Sequence, residues 1–361
     1  MSIRIESPQG RAALAEMIRF YDRVYAYRSA RWPAFEAFEL AVLSGESPYL
    51  RARLLRPFVA REHGEIAARV IAVVDERYRR HWNERLGHLV MFEALPASGE
   101  AVWRLIDEAS AWLAAHGCAR ARAGYGMLDL PFAIDAYESL PPTILRQNPP
   151  YYHALLKEAG FETEKGWVDY CIEVCPAHLE SWHDAVAAAR RRGFEIVPLR
   201  RLPRSVRARR FADTWNAAFA HHWGHTPTDA EEFSFLIRSL EPAGVLDTSV
   251  VALLDGEVVG VVWAVRADTG SVRLAPHRVL ADAERLNILA IGVRESARGQ
   301  GVNLALAGHA YLELARRGAR AVSYTLVLDD NWPSRRTAEK LGGRIRANYV
   351  SYVRDFAAAR R

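Results

Sequence analysis

The chain has 361 residues, half of them hydrophobic, and a formal net charge of +5. That is ample for a buried core, and at roughly 100–200 residues per domain it predicts two domains. The cationic excess is almost all arginine interspersed with Asp and Glu, with lysine only at Lys157, Lys165 and Lys340; it suits anionic ligands such as nucleotide phosphates, and without an aromatic-interleaved basic stripe it argues against nucleic acid.

The opening MSIRIESPQGRAALAEMIRF carries charges where a secretion signal needs an apolar core, and no stretch has the roughly 18 apolar residues of a membrane span. A cytoplasmic protein is expected. Of the three cysteines, Cys118, Cys171 and Cys175, the last pair is spaced CxxxC in an apolar strand-like run and reads as buried thiols, with a metal or disulfide role as the alternative.

In chain order, RAALAEMIRFYDRVYAYR reads as a helix and RPFVAREHGEIAARVIAVVDERY as a hairpin about His63–Gly64. LGHLVMFEA is a strand, EAVWRLIDEASAWLAAHG a helix and ARARAGYG a strand. NPPYYHALLKEAGF is a short helix, and WVDYCIEV a strand. A new helix begins at Pro176, which suggests a first domain over 1–178 and a second over 190–361.

The second half repeats the order. VRARRFADTWNAAFAHHW is an amphipathic helix, and the next two strands turn at Asp255–Gly256. The strand RLNILAIGV runs into the glycine loop RGQG, then into the helix LALAGHAYLELARRG. RAVSYTLVLDD is a strand, PSRRTAEKLGG a short helix with Pro333 in its first turn, and RIRANYVSYVRDF the closing strands.

Strand, glycine loop and helix N-terminus together make an anion site. The first helical turn leaves backbone N–H groups unpaired at the positive end of the helix dipole. Gly299 and Gly301 let phosphates approach without a Cβ in the way, and Arg298 adds a forked cation. A ligand-free glycine turn is the alternative. Neither the dinucleotide nor the Walker fingerprint fits the spacing.

VRESARGQGVNLAL resembles the acetyl-CoA-binding motif of the GNAT acyltransferase superfamily, Arg/Gln-x-x-Gly-x-Gly/Ala, with Arg298, Gly301 and Asn303 at those positions and Asn303 departing from the usual small residue. DNWPSRRTAEKLGGRI resembles the second motif through Asn331, Ser334 and Gly342. The resemblance covers about residues 190–356 and implies an α/β fold of mixed sheet. Two tandem GNAT-like domains are expected, each a bent, mostly antiparallel sheet flanked by helices, the first a degenerate copy. It also implies a V between the strands RLNILAIGV and RAVSYTLVL. There the pantetheine of acetyl-CoA, or of a longer acyl-CoA, pairs with Ile291, Gly292 and Val293. The diphosphate is expected on the amides of Gly299, Gln300, Gly301, Val302 and Asn303, with Asn331 and Ser334 beside the arm. The first half lacks the loop and is not expected to bind CoA, although Asn148 and Gly160 resemble the second motif; it either shapes the acceptor pocket or is only a structural partner.

Many family members place a thiol-protonating tyrosine seven residues after the second-motif asparagine; here Ala338 stands there. Tyr324, Tyr349 and Tyr352 are the substitutes, each also readable as packing. HHWGH, His221 to His225, lies where acceptor contacts are expected, and His225 is a candidate base against a structural alternative. No metal is expected. An N-acyltransferase acting on a small-molecule amine is the favoured reading. A peripheral-membrane enzyme acylating a lipid or sphingoid-type amine, suggested by ten Trp, and a non-catalytic CoA-binding protein are the alternatives.

Overall fold

A computed structural model describes residues 3–126, 128–267 and 269–356. The first half runs β1 (Ile3–Glu6), α1 (Gly10–Val24), β2 (Ala30–Arg31), α2 (Glu36–Leu43), β3 (Arg53–Glu62), β4 (Glu65–Asp75) and α3 (Glu76–Trp82). It continues through β5 (Leu86–Ala94), α4 (Gly99–Ala115), β6 (Arg120–Ala123), β7 (Phe132–Ala133), α5 (Tyr152–Glu158) and β8 (Glu162–Glu173). After α6 (Pro176–Arg191) come β9 (Glu195–Pro198), α7 (Arg204–Phe219), α8 (Ala230–Leu240), α9 (Val245–Thr248), β10 (Val250–Leu254), β11 (Glu257–Val265) and β12 (Arg273–Leu274). The chain closes with β13 (Ile288–Val293), α10 (Val302–Arg316), β14 (Ala321–Leu328), α11 (Trp332–Lys340) and β15 (Arg344–Asp355).

Local signals account for most of these elements. α1 turns Met17, Ile18, Phe20 and Val24 inward at helical spacing. β10 and β11 meet at Asp255 and Gly256, both at positive φ (51° and 78°), the conformation a two-residue hairpin turn requires. Asp229 caps α8, accepting from the backbone of Glu231 and Glu232 while Glu232 reaches back to the Asp229 N–H.

The strands form a nine-stranded sheet, a four-stranded sheet and a two-stranded ribbon. Along its main path the large sheet runs β1-β3-β4-β5-β6-β15-β8-β14, and the small one β13-β11-β10-β9. Pairing is antiparallel except between β5 and β6. This is the mixed, mostly antiparallel α/β architecture flanked by helices that the resemblance implies.

The strand order also shows an exchange between halves. β15, the last strand of the second half, lies between β6 and β8 of the first. β8, the last strand of the first half, lies between β15 and β14 of the second. Each half therefore completes its sheet with the other's final strand, and the two sheets expected from the sequence are joined through the β15–β8 pair. RIRANYVSYVRDF, read as closing strands, is a single 12-residue strand, paired with β8 from Arg344 to Val353 and with β6 from Tyr352 to Asp355.

Two further seams join the halves. Buried Arg53 of β3 pairs with Asp75 at 2.6 Å and with Glu232 of α8, and Arg77 of α3 pairs with Glu232 and Asp229. With these guanidiniums satisfied, the buried Glu232 carboxylate is compensated rather than stranded. On another side, the segment between β11 and β13 crosses to the first half. Its strand β12 pairs with β2, Leu280 packs with Trp32 and Leu140, and Glu284 accepts from the Leu140 N–H at 2.9 Å.

Candidate active site

β13 and β14 lie side by side, yet each ends its own sheet, so among the described residues no strand pairs with β13 on the side away from β11. In an antiparallel ladder alternate backbone groups face away from the partner strand. Half of those on β13 therefore face the gap. α7 covers this strand so closely that a Cβ on Gly292 would come within 2.8 Å of Phe219 and 2.9 Å of Ala218.

Past Val293 the chain makes a 3-10 turn over Glu295–Ala297 and enters α10 through Gly299 and Gly301, at φ 75° and 79°. Non-glycine residues resist that conformation. No side chain caps α10, and Ala305 is the first residue whose N–H reaches back to Gly301, at 3.1 Å. Space around Gly299 is open to at least 4 Å from a Cβ position. An uncapped helix N-terminus behind an open glycine turn is suited to an anion.

Arg298 holds this loop in place. Its Nη2 donates to the Ala218 carbonyl of α7 at 2.9 Å and its Nε to the Val293 carbonyl at 3.2 Å. Asn303, in the first turn of α10, donates to Thr337 Oγ1 of α11 at 2.8 Å. That bond ties the loop-bearing helix to α11, whose N-cap is Asn331, accepting from the Ser334 N–H at 3.3 Å. Ser334 Oγ in turn lies 3.0 Å from the Tyr324 hydroxyl of β14. Burial pushes the Tyr324 phenol up to about 12, against the opposing pull of Ser334. Immediately beyond it β14 bulges, the register slipping between Tyr324 and Val327 with Leu326 at φ 52°. The Arg298 and Asn331 motifs and Tyr324 are thus parts of one connected wall.

Residues 208–343 match the acetyltransferase (GNAT) family. These residues form a GNAT domain. Over the whole chain, a tandem GNAT protein from the clavulanic acid biosynthesis pathway superposes with a TM-score of 0.59, covering 98% of both chains at 12% identity. A GCN5-related glucosamine N-acetyltransferase region of a fungal multi-domain beta-N-acetylglucosaminidase superposes with a TM-score of 0.61 at 16% identity, covering 98% of this chain and 38% of that one. A GCN5-related N-acetyltransferase from Sphaerobacter thermophilus gives 0.55 at 14% identity, over 98% and 95% of the two chains. At such identities the likeness is one of fold. In sequence, Protein YghO of Escherichia coli (strain K12) is 21% identical over 223 residues, 59% of this chain and 55% of that protein. The match thus spans about half of that relative's length.

The histidines of HHWGH divide between two surroundings in the GNAT half. His225 is buried against the first half, its ring 5.8 Å from His81 of α3 and 6.1 Å from Phe219, its carbonyl accepting from Trp82 Nε1 at 2.8 Å. Burial pushes its pKa down to about 4, and Nε2 has no partner among the described residues. His222 packs on Phe219 at 5.4 Å, and its Nδ1 sits 3.2 Å from the Trp223 carbonyl. Burial lowers its pKa, against the opposing pull of the Trp223 carbonyl and of Asp330 in the turn after β14. Of the other tyrosines, Tyr349 is buried in the apolar cluster with Trp167 and Leu328. Tyr352 packs in the first half's core, its hydroxyl 2.5 Å from His153 Nδ1. The structure brings Tyr324 to the motif residues and carries Tyr352 away from them.

In the first half the corresponding cleft is filled by the chain's own side chains. Along β5, Arg146 Nη1 donates to the Phe92 carbonyl at 3.0 Å, and Tyr151 Oη to the Ala94 carbonyl at 2.8 Å. The Ala94 N–H donates to Tyr152 Oη at 2.9 Å. Arg146 and Tyr152 belong to a buried network with Glu93, Tyr25 and Asp129. At the start of α4, where an anion would sit, the Glu158 carboxylate lies 3.5 Å from the Cβ position of Gly99. Asn148 is engaged with both backbone groups of Ala133. None of these plugs was visible in the sequence, since each is an ordinary polar residue until the fold brings it to β5. Among the described residues no group of His, Cys, Asp and Glu could hold a metal ion.

Proposed function

We propose that the chain is an acyl-CoA-dependent N-acyltransferase whose donor binds in the GNAT half alone. The observation that carries this is the gap between β13 and β14, open at the loop of Gly299 and Gly301 and lined at β14 by Tyr324 and Ser334. The donor supplies a thioester. An amine attacks its carbonyl carbon, the new C–N bond forms as the C–S bond breaks, the amine gives up a proton, and the sulfur takes one. Free β13 backbone donors are suited to hydrogen-bond the carbonyl. Tyr324, kept protonated by burial, is the proton donor for the sulfur. Positioning supplies most of the acceleration, since well-oriented groups reach effective molarities of about 10⁵–10⁸ M. The acceptor is a small amine or an amine-bearing lipid. It approaches from the α7 side, beside His222, with the segment that docks on Trp32 and Leu140 as its outer wall.

The test is incubation with acetyl-CoA and longer acyl-CoAs against a panel of amines, following release of free thiol, with Gly301→Asp as control. Acceptor-dependent thiol release that Gly301→Asp abolishes is the expected result. Absence of CoA binding by the unaltered protein in calorimetry would overturn the reading.

A further inference from the structure

Two arginines hydrogen-bond to the glycine loop or its flanks, and only one of them lies in the motif. Arg298 has two of its donor positions on the carbonyls of Val293 and Ala218, which makes it a brace between β13 and α7. A second guanidinium reaches the loop from outside residues 208–343. Arg192, the exposed C-cap residue of α6, places Nη1 2.5 Å from the Gln300 carbonyl and 3.4 Å from the Cβ position of Gly301.

We propose that Arg192 is a phosphate-binding residue for coenzyme A, supplied by the helix that links the two halves. This rests on the acyl-CoA reading above and adds a ligand contact to it. Three observations support it. Arg192 Nη1 holds the Gln300 carbonyl, one residue before the Gly301 N-cap of α10, and lies 3.4 Å from the Cβ position of Gly301, which puts its charge at the entrance to that helix. Neither Arg192 nor Arg298, the two guanidiniums hydrogen-bonded at the loop, has a carboxylate within 4.0 Å among the described residues, so both charges at the loop are uncompensated there. Finally, an arginine at a helix C-terminus has no need to leave it, because cations favour that end of the dipole. This one extends across to α10 and hydrogen-bonds only one loop carbonyl, leaving its fork open for a phosphate.

Calorimetric titration of CoA and of dephospho-CoA, which lacks the 3′-phosphate, into the full chain and into Arg192→Ala and Arg192→Lys tests this. Arg192→Ala is expected to weaken CoA by about tenfold to a hundredfold, the range of a charge-assisted hydrogen bond, and to flatten the dependence of affinity on salt. Arg192→Lys recovers part of the affinity. Equal loss for both ligands assigns the contact to the diphosphate, and loss for CoA alone to the 3′-phosphate; either supports the proposal. The thermal midpoint of the unliganded Arg192→Ala protein should change little, since its single bond to the Gln300 carbonyl is exposed. Unaltered CoA affinity in Arg192→Ala, with Gly301→Asp still abolishing it, overturns the assignment and leaves the acyl-CoA reading standing. If the unaltered protein binds neither ligand, both fall.

Discussion

The Tyr324 hydroxyl lies 3.0 Å from Ser334 Oγ, joining the strand on one side of the gap to the helix that carries the second motif. A phenol raised to about 12 by burial stays protonated through neutral pH and is lost as a donor only when pH rises through that value. Tyr324→Phe is therefore expected to lower the acyl-transfer rate by about 10²-fold or more while CoA affinity is kept. Steady-state kinetics with calorimetry checks this; an unchanged rate removes Tyr324 from the chemistry. No alkaline decline assignable to this residue should occur below about pH 11, by the range of its raised pKa.

Arg298→Ala should destabilise the GNAT half. It removes a brace on two carbonyls, one bond exposed and one part-buried, together contributing about 1–2 kcal/mol. Denaturant unfolding should register a loss of this order, larger than for Arg192→Ala, which gives up one exposed bond to the Gln300 carbonyl.

CoA should bind with a stoichiometry of one per chain. The first half's β5 is already hydrogen-bonded by Arg146, Tyr151 and Tyr152. Arg146→Ala strands the buried Glu93 and Asp129 carboxylates, so it should cost about 3–5 kcal/mol of stability. A second molecule of CoA bound by the unaltered chain would contradict this account of the cleft.

Acid should destabilise the chain at two buried histidines, His225 where it packs against the first half and His88 on β5. Burial holds His225 at about 4 and His88 at about 3, both below the ordinary histidine value of 6.5, so each favours the folded state while neutral. Stability should be full above pH 6.5 and fall as pH drops toward 4 and below. Chemical unfolding across that window, with His225→Asn showing a shallower fall, is the measurement.

Residues 1–178 expressed alone should not fold cooperatively, because β8 loses β14 and β15, and β6 loses β15. A sharp, two-state unfolding transition for that fragment would show the exchange to be dispensable.

Much of this architecture was legible because its signals are local. Asp255–Gly256 between apolar runs marks a hairpin, and Gly299 and Gly301 ahead of a helix mark the loop. The pairing of WVDYCIEV with RIRANYVSYVRDF was not legible. Both alternate as half-buried strands do, and nothing within either stretch names a partner about 180 positions away (Tyr349 opposite Trp167). Tyr352 was grouped with Tyr324 by position near the chain's end, yet the length of β15 carries it across to His153. Arg192 was hidden among consecutive arginines at a helix end, where the dipole alone accounts for positive charge.

The swapped final strands bear on why a copy with a blocked cleft would persist. Deleting it would remove a rib from the working half and leave that half's own last rib without its far neighbour. The sealed copy is thus part of the working copy's frame, and its hydrogen-bonded interior is free to specialise in rigidity in place of a ligand.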